Sequence, residues 1–270
     1  MHKLPFRFPA VFAILIALAV PAFPQDEKPP GEGEAPPAGE SKKVAGDAAE
    51  AEKSPVPSPV RLPVASGILN EKLAQNFEFV SEGKKIGEAK GTLGKNEAGD
   101  AFVSRFSMTL EMPDESGDAK KVEIDEEQVF DLARPHELLS ANATVKSADG
   151  EQKISVKRLR TMHYEAKVPG EEEPQEWELD YTLADELAPR LWVRSNPKVG
   201  DRISHRALTL SQGAYNLRVL EIKSVEDGKF TVVEETAGTG EKSEAILDAA
   251  GRLISSDMGN ITIRDVKAAE

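Results

Sequence analysis

Apolar residues recur at every second position along most of the chain from Asn76 onward. The clearest run puts Phe102, Phe106, Met108, Leu110 and Met112 on one face and Arg105, Ser107, Thr109 and Glu111 on the other. Alternation with period two marks a half-buried antiparallel strand. Shorter pieces repeat it: Phe77 and Phe79; Val122 and Ile124; Ile154 and Val156; Met162, Tyr164, Ala166 and Val168; Tyr215, Leu217 and Val219; Phe230 and Val232; Ile261 and Ile263. Turn signals divide them, among them Glu82-Gly83-Lys84, Asn96 to Asp100, Asp149-Gly150, Val199-Gly200-Asp201 and Asp227-Gly228. The pattern predicts an all-β fold of roughly ten or more short strands: an antiparallel, strongly curved sheet, a sandwich or a partly open barrel. At most one short helix is expected, over 183–193, with Pro189 limiting it to a turn or two on either side.

Two hairpins echo each other. Val129-Phe130-Asp131, a turn through Pro135 and Leu138-Leu139-Ser140 resemble Ile246-Leu247-Asp248, a turn through Gly251 and Leu253-Ile254-Ser255. Each is followed by an Asn-x-Thr-apolar step, at Asn142 and at Asn260. Two readings stand: a domain of two similar halves, or two turns whose aspartates bond forward in the same way.

The N-terminal quarter has a different texture. In residues 1–22, Lys3 and Arg7 precede an apolar run from Ala10 to Val20, and Val20-Pro21-Ala22 offers small residues for cleavage. Eleven residues rise ~17 Å as a helix, roughly half the ~30 Å hydrocarbon core, so a cleaved signal peptide is expected rather than a permanent span. An uncleaved membrane anchor is the alternative. Residues 23–65 hold nine of the 18 prolines, set among Glu, Ala, Gly, Lys and Ser. Such a stretch buries too little apolar area to offset its ordering entropy, and a disordered tether is expected. Residues 66–270 then form a single β-rich domain, and the protein is expected in the periplasm or secreted.

Composition excludes several functions. Thirty-four basic residues against 47 acidic ones give a net charge of −13, which argues against a nucleic-acid partner. The absence of cysteine removes a disulfide scaffold, a thiolate metal site and a cysteine nucleophile. Outside the signal, His136, His163 and His205 are isolated from one another and are expected to be ordinary surface histidines. No Gly-x-Ser-x-Gly elbow, phosphate-binding loop or zinc-protease signature occurs. Asp114-x-Ser116-x-Asp118 departs from a calcium loop at Ala119 and Asp125. Glu171-Glu172-Glu173, with Glu176 and Glu178 after it, is expected to be a solvated acidic loop, weak calcium recruitment being the alternative. No catalytic residue, metal ligand or cofactor is therefore expected. The feature that stands out is aromatic: Trp177 and Trp192, with Tyr164 and Tyr181, are close in sequence. They serve either as core or as the lining of an apolar ligand site.

Gly83, Gly87 and Gly91 in one strand, Lys198-Val199-Gly200-Asp201 entering another, and the stretch from Leu247-Asp248 to Arg264 carry a resemblance. The domain resembles β-rich non-catalytic regions of exported bacterial proteins of unknown function, some of which precede transglutaminase-like domains. The resemblance implies a β fold; the missing cysteine departs from any transglutaminase chemistry. Envelope carriers that cradle a lipid in a half-open sheet are a more distant comparison.

Together these readings give an exported, non-catalytic β-domain that binds a partner protein of the envelope or an apolar small molecule. A purely structural envelope module is the first alternative. A hydrolase of unfamiliar type is the second, and it would need two carboxylates ~5–10 Å apart in a cleft.

Overall fold

The structure, a computed structural model, describes residues 56–113 and 119–268. The expected signal segment, the expected tether up to residue 55 and residues 114–118, with their Asp-x-Ser-x-Asp pattern, lie outside the described residues.

Among the described residues, the alternation becomes fourteen strands: β1 (Leu73–Ser81), β2 (Lys84–Lys95), β3 (Ala101–Pro113), β4 (Ala119–Asp131), β5 (Leu138–Ser147), β6 (Gly150–Arg160), β7 (His163–Lys167), β8 (Gln175–Glu178), β9 (Arg202–Thr209), β10 (Ala214–Glu226), β11 (Lys229–Thr236), β12 (Lys242–Asp248), β13 (Leu253–Met258) and β14 (Ile261–Asp265). They form one antiparallel sheet in the order β8-β7-β6-β5-β4-β3-β2-β1-β14-β13-β12-β11-β10-β9. Sequence neighbours pair throughout each half, as short turns dictate. The two meanders join where β1 meets β14, with Phe77 opposite Asp265 and Ser81 opposite Ile261. The edges β8 and β9 do not pair with each other, so the sheet is not closed.

Curvature follows from which side chains share a core. Phe79 of β1, Leu110 of β3 and Ile124 of β4 pack in one cluster with Leu220 and Ile222 of β10, Phe230 of β11 and Leu247 of β12. Strands from both halves therefore line a common interior. A second cluster gathers Phe102, Phe130, Leu138, Tyr164, Tyr181, Leu208 and Leu210. Close packing of β2 on β3 depends on Gly87, where an added Cβ would fall 2.3 Å from the Thr109 carbonyl oxygen.

The connection from β8 to β9 passes through the interior as a plug. After a single turn at α1 (Ser66–Leu69), the helices are α2 (Leu183–Glu186) and α3 (Ala188–Arg194). Thr182 and Asp185 form a capping box at the start of α2. Pro189 stands in the first turn of α3, where its missing N–H has no helical partner to lose. It thus opens α3, and the helix on either side of the break is a turn or two long, as expected from Pro189. Trp192 and Val193 face the first cluster, while Leu183, Leu187 and Leu191 face the second.

Residues 56–64, which composition places in the tether, lie along the sheet as a strap. Pro59 bridges Ser204 in parallel, and the Val60 N–H donates to the Ser204 carbonyl at 2.9 Å. Leu62 and Val64, two apart, point inward together: Val64 is buried and Leu62 packs against both clusters. That apolar alternation outweighs the proline-rich composition. The strap shields the edge of β9, and the opposite edge, β8, is short and acidic; both are standard protections against edge-to-edge pairing.

Both echoed hairpins use one device. The Ala133 N–H donates to Asp131 Oδ1 at 2.8 Å, and the Ala250 N–H donates to Asp248 Oδ1 at 2.9 Å. A bulge precedes each turn. Beyond it the likeness ends, since Asn142 lies within β5 and Asn260 in the turn before β14. What the two hairpins share is the turn itself: one Asp-to-backbone hydrogen bond and one bulge.

Candidate functional site

Polar side chains occupy inward-facing positions in a single layer between the two apolar clusters. On β3, Ser104 falls between Phe102 and Phe106; on β4, Glu126 and Gln128 fall between Ile124 and Phe130. Register aligns them, with Ser104 opposite Gln128. On the other wall, Arg218 of β10 lies opposite both His205 of β9 and Thr236 of β11. Ser104, Gln128, His205, Arg218, Glu234 and Thr236 are all buried.

The plug supplies the centre of this layer. Tyr181 donates its hydroxyl to Glu186 Oε2 at 2.5 Å, and Ser104 Oγ donates to Glu186 Oε1 at 2.8 Å. Burial pushes the Glu186 carboxyl up to about 7; the two hydrogen bonds oppose the shift, and the charge of Glu126 adds to it. Burial also raises the Glu126 carboxyl, whose Oε1 accepts the Ser211 N–H at 2.8 Å. Burial, then the Glu186 charge, holds the Tyr181 phenol well above its ordinary range.

Across the layer, Arg218 and Glu234 form an ion pair whose side chains are only 2% and 1% exposed. His205 Nδ1 lies 3.0 Å from the Arg206 carbonyl oxygen, which can only accept, so Nδ1 carries the proton. Burial and the neighbouring Arg218 charge pull this imidazole down to about 4, and it is neutral at ordinary pH. Its Nε2 is then a bare acceptor. Among the described residues, His205 Nε2, both polar atoms of Gln128, Arg218 Nε and Thr236 Oγ1 have no hydrogen-bond partner. The interior thus retains hydrogen-bonding capacity on both walls.

A second polar group closes the gap between the sheet's edges. Asp180 follows β8, and its carboxylate receives Arg206 of β9 at 2.8 Å and Arg61 of the strap at 2.6 Å. The Arg61 guanidinium also donates to the Asp180 carbonyl at 2.8 Å and to Asp185 Oδ2 at 3.0 Å. The Asp185 side chain is fully buried. Tyr215 Oη donates to the same Asp180 carbonyl at 2.9 Å.

The four aromatic residues singled out in the sequence do not line one surface. Trp192 is buried in the first cluster and Tyr164 and Tyr181 in the second, while Trp177 packs half-buried at the second's margin. Tyr164 Oη donates to the Leu138 carbonyl at 3.0 Å. Trp177 Nε1 donates to Gln175 Oε1 at 3.3 Å. The expectation for the histidines needs correction. His136 and His205 are buried, at 5% and 1% exposure, because one is locked into the β4–β5 turn beside the plug and the other takes an inward register position. His163 alone is near the surface, 2.8 Å from Glu176. Among the described residues, no three His, Asp or Glu side chains gather as a metal-ligating group. None of the described helices is long and apolar enough to cross a membrane.

Sequence reasoning missed the polar layer and the carboxylates at the edges. Its signal was present: Ser104, Glu126, Gln128, Arg218 and Glu234 each fall in phase with apolar neighbours two residues away. A polar residue in an apolar phase is an interior polar group.

No protein-family model matches the chain, and no curated protein matches it. Among solved structures, the chain is similar to a β-barrel-like protein of the domain of unknown function DUF1849 from Brucella abortus. The TM-score is 0.51 at 9% identity, over 71% of this chain and 93% of that one. It also shows a looser likeness to a DUF1089 family protein from Pseudomonas aeruginosa, with a TM-score of 0.37 at 17% identity over 64% and 90% of the two chains. The first likeness is one of fold: a β-barrel-like domain of unknown function. It carries no link to transglutaminase-like proteins.

Proposed function

We propose that this is an exported, non-catalytic β-barrel-like domain that docks a partner protein in the cell envelope. The observation that carries the reading is the occupied interior. The plug inserts Trp192, Leu183 and Leu191 between the walls of the sheet, and Tyr164 and Tyr181 pack as core. An apolar ligand held against that face would have to displace the protein's own side chains, so recognition falls to the outer surface. Glu126 and Glu186, the carboxylates with raised pKa, are engaged by Ser211, Ser104 and Tyr181 within the fold.

Native mass spectrometry of the mature protein, purified gently from its own compartment, tests the reading. A protein partner of defined mass, released on denaturation, is the expected result. A tightly held small apolar molecule, lost when Trp192 is changed to alanine, would overturn it in favour of a carrier.

A further inference from the structure

We propose that the outer edge of β9, together with Asp180 and Asp185, is a receptor for an extended, arginine-bearing segment of a partner protein, and that the strap is its resident competitor. The inference rests on the partner-docking reading and names its surface.

The strap is held as a bound peptide is held. Its backbone bond to β9 is Val60 N–H to the Ser204 carbonyl, and Ser204 Oγ donates to the Pro57 carbonyl at 2.7 Å. Pro57, Pro59 and Pro63 have no N–H to offer, so the strap cannot extend the ladder as a true fifteenth strand. Val56 and Val60 stay 52% and 42% exposed. Recognition concentrates on three side chains: Arg61, Leu62 and Val64. The Arg61 guanidinium spans two carboxylates and a carbonyl, Leu62 sits where the two apolar clusters meet, and Val64 is buried.

That arrangement defines what else fits. A competitor needs an extended backbone that supplies one donor, an arginine, and apolar residues one and three positions after it. The arginine is the discriminating element. Asp185 keeps a fully buried carboxylate, and a displacing segment without a guanidinium would leave that charge without the cation it now has. Arg206 contributes its side chain to Asp180 and does not replace Arg61 at Asp185. Specificity follows from the penalty on the wrong occupant as much as from attraction to the right one. Because the strap is tethered to its own site, it competes at high effective concentration and keeps apparent affinity low until it is displaced.

The test uses the full mature chain carrying Arg61→Glu, which repels the strap from Asp180. A labelled peptide with the sequence of residues 57–64 serves as probe in fluorescence anisotropy. The folded variant is expected to bind the peptide about tenfold or more tightly than the wild type, whose strap competes. Changing the peptide's arginine to alanine, or adding Asp180→Asn to the protein, is expected to cost about tenfold or more. Circular dichroism checks folding, and Arg61→Ala, which adds no repulsion, serves if Arg61→Glu does not fold. A folded variant that ignores the peptide, or binds its arginine and alanine forms alike, overturns the proposal. So does a concentration-dependent wild-type dimer that the free peptide dissociates, because the occupant would then be a second copy. A partner found by native mass spectrometry but not displaced by the peptide leaves the docking function standing and removes this surface from it.

Discussion

Two buried groups in the polar layer pull the pH dependence of stability in opposite directions, and replacing one of them exposes the other. The Glu186 carboxyl is pushed from 4.5 to about 7 and the His205 imidazole pulled from 6.5 to about 4. At about 1.4 kcal/mol per pH decade, each displacement corresponds to about 3 kcal/mol. Between pH 4.5 and 7 the native protein keeps a proton on Glu186 that the unfolded chain has released, so this contribution is full below 4.5 and lost as pH rises through 7. Between pH 6.5 and 4 the unfolded chain takes a proton on His205 that the native protein refuses, so this contribution is lost as pH falls. The slopes oppose each other over their common window and flatten the wild-type curve there. Glu186→Gln keeps an acceptor for Tyr181 and mimics the protonated acid. Its stability is expected to exceed the wild type's by about 3 kcal/mol at pH 8 and to match it near pH 4.5, with a net loss of about 3 kcal/mol between pH 6.5 and 4.5. The charge of Glu126 is one of the causes that raise Glu186, so its part of the effect is lost with the Glu186 carboxylate and belongs to the difference being measured. Urea unfolding followed by tryptophan fluorescence, with Trp192 buried as reporter, measures this across pH. A difference that does not vary with pH, or a variant less stable at pH 8, would refute the reasoning.

Gln128→Leu removes two buried atoms that lack partners in favour of a side chain of similar size; it is expected to stabilise by about 1 kcal/mol, and a loss above about 2 kcal/mol in urea unfolding would show that Gln128 is bonded in solution. Gly251→Ala places a Cβ 2.6 Å from Arg190 Cα at a φ of +70°. A thermal melt should show it destabilised by more than about 2 kcal/mol, because both the turn and its contact with α3 are strained.

Fold class was legible because period-two alternation is a local property of every strand: the residues that predicted strand at Phe102 to Met112 lie in β3, and the turn at Asp227-Gly228 joins β10 to β11. The order of strands was not legible, since pairing of β1 with β14 depends on contacts that no window of sequence contains. Four prolines near Val60 hid the alternation of Leu62 and Val64. Pro189 was the better guide: the helix expected over 183–193 is present as α2 and α3, a turn or two on either side of it. Trp177 and Trp192 are near in sequence, but the plug turns between them and sends Trp192 to the other core. The seat of Arg61 could not be read at all, because it joins residues 119 and 124 positions apart.

Renumbered from β9, the strand order runs β9 to β14 and then β1 to β8 without interruption. The protein is thus a circular permutation of the plainest possible sheet, with its ends cut in the middle and its two outer strands tied together. The helical plug is what that tie requires, since one chain must travel from the first edge to the last. During synthesis, eight strands emerge with the flank of β1 still bare. Glu78 and Arg264, 186 positions apart, meet only when the final strand has left the ribosome. The sheet is completed last at its centre, so premature pairing of that bare flank is the hazard its biogenesis has to avoid.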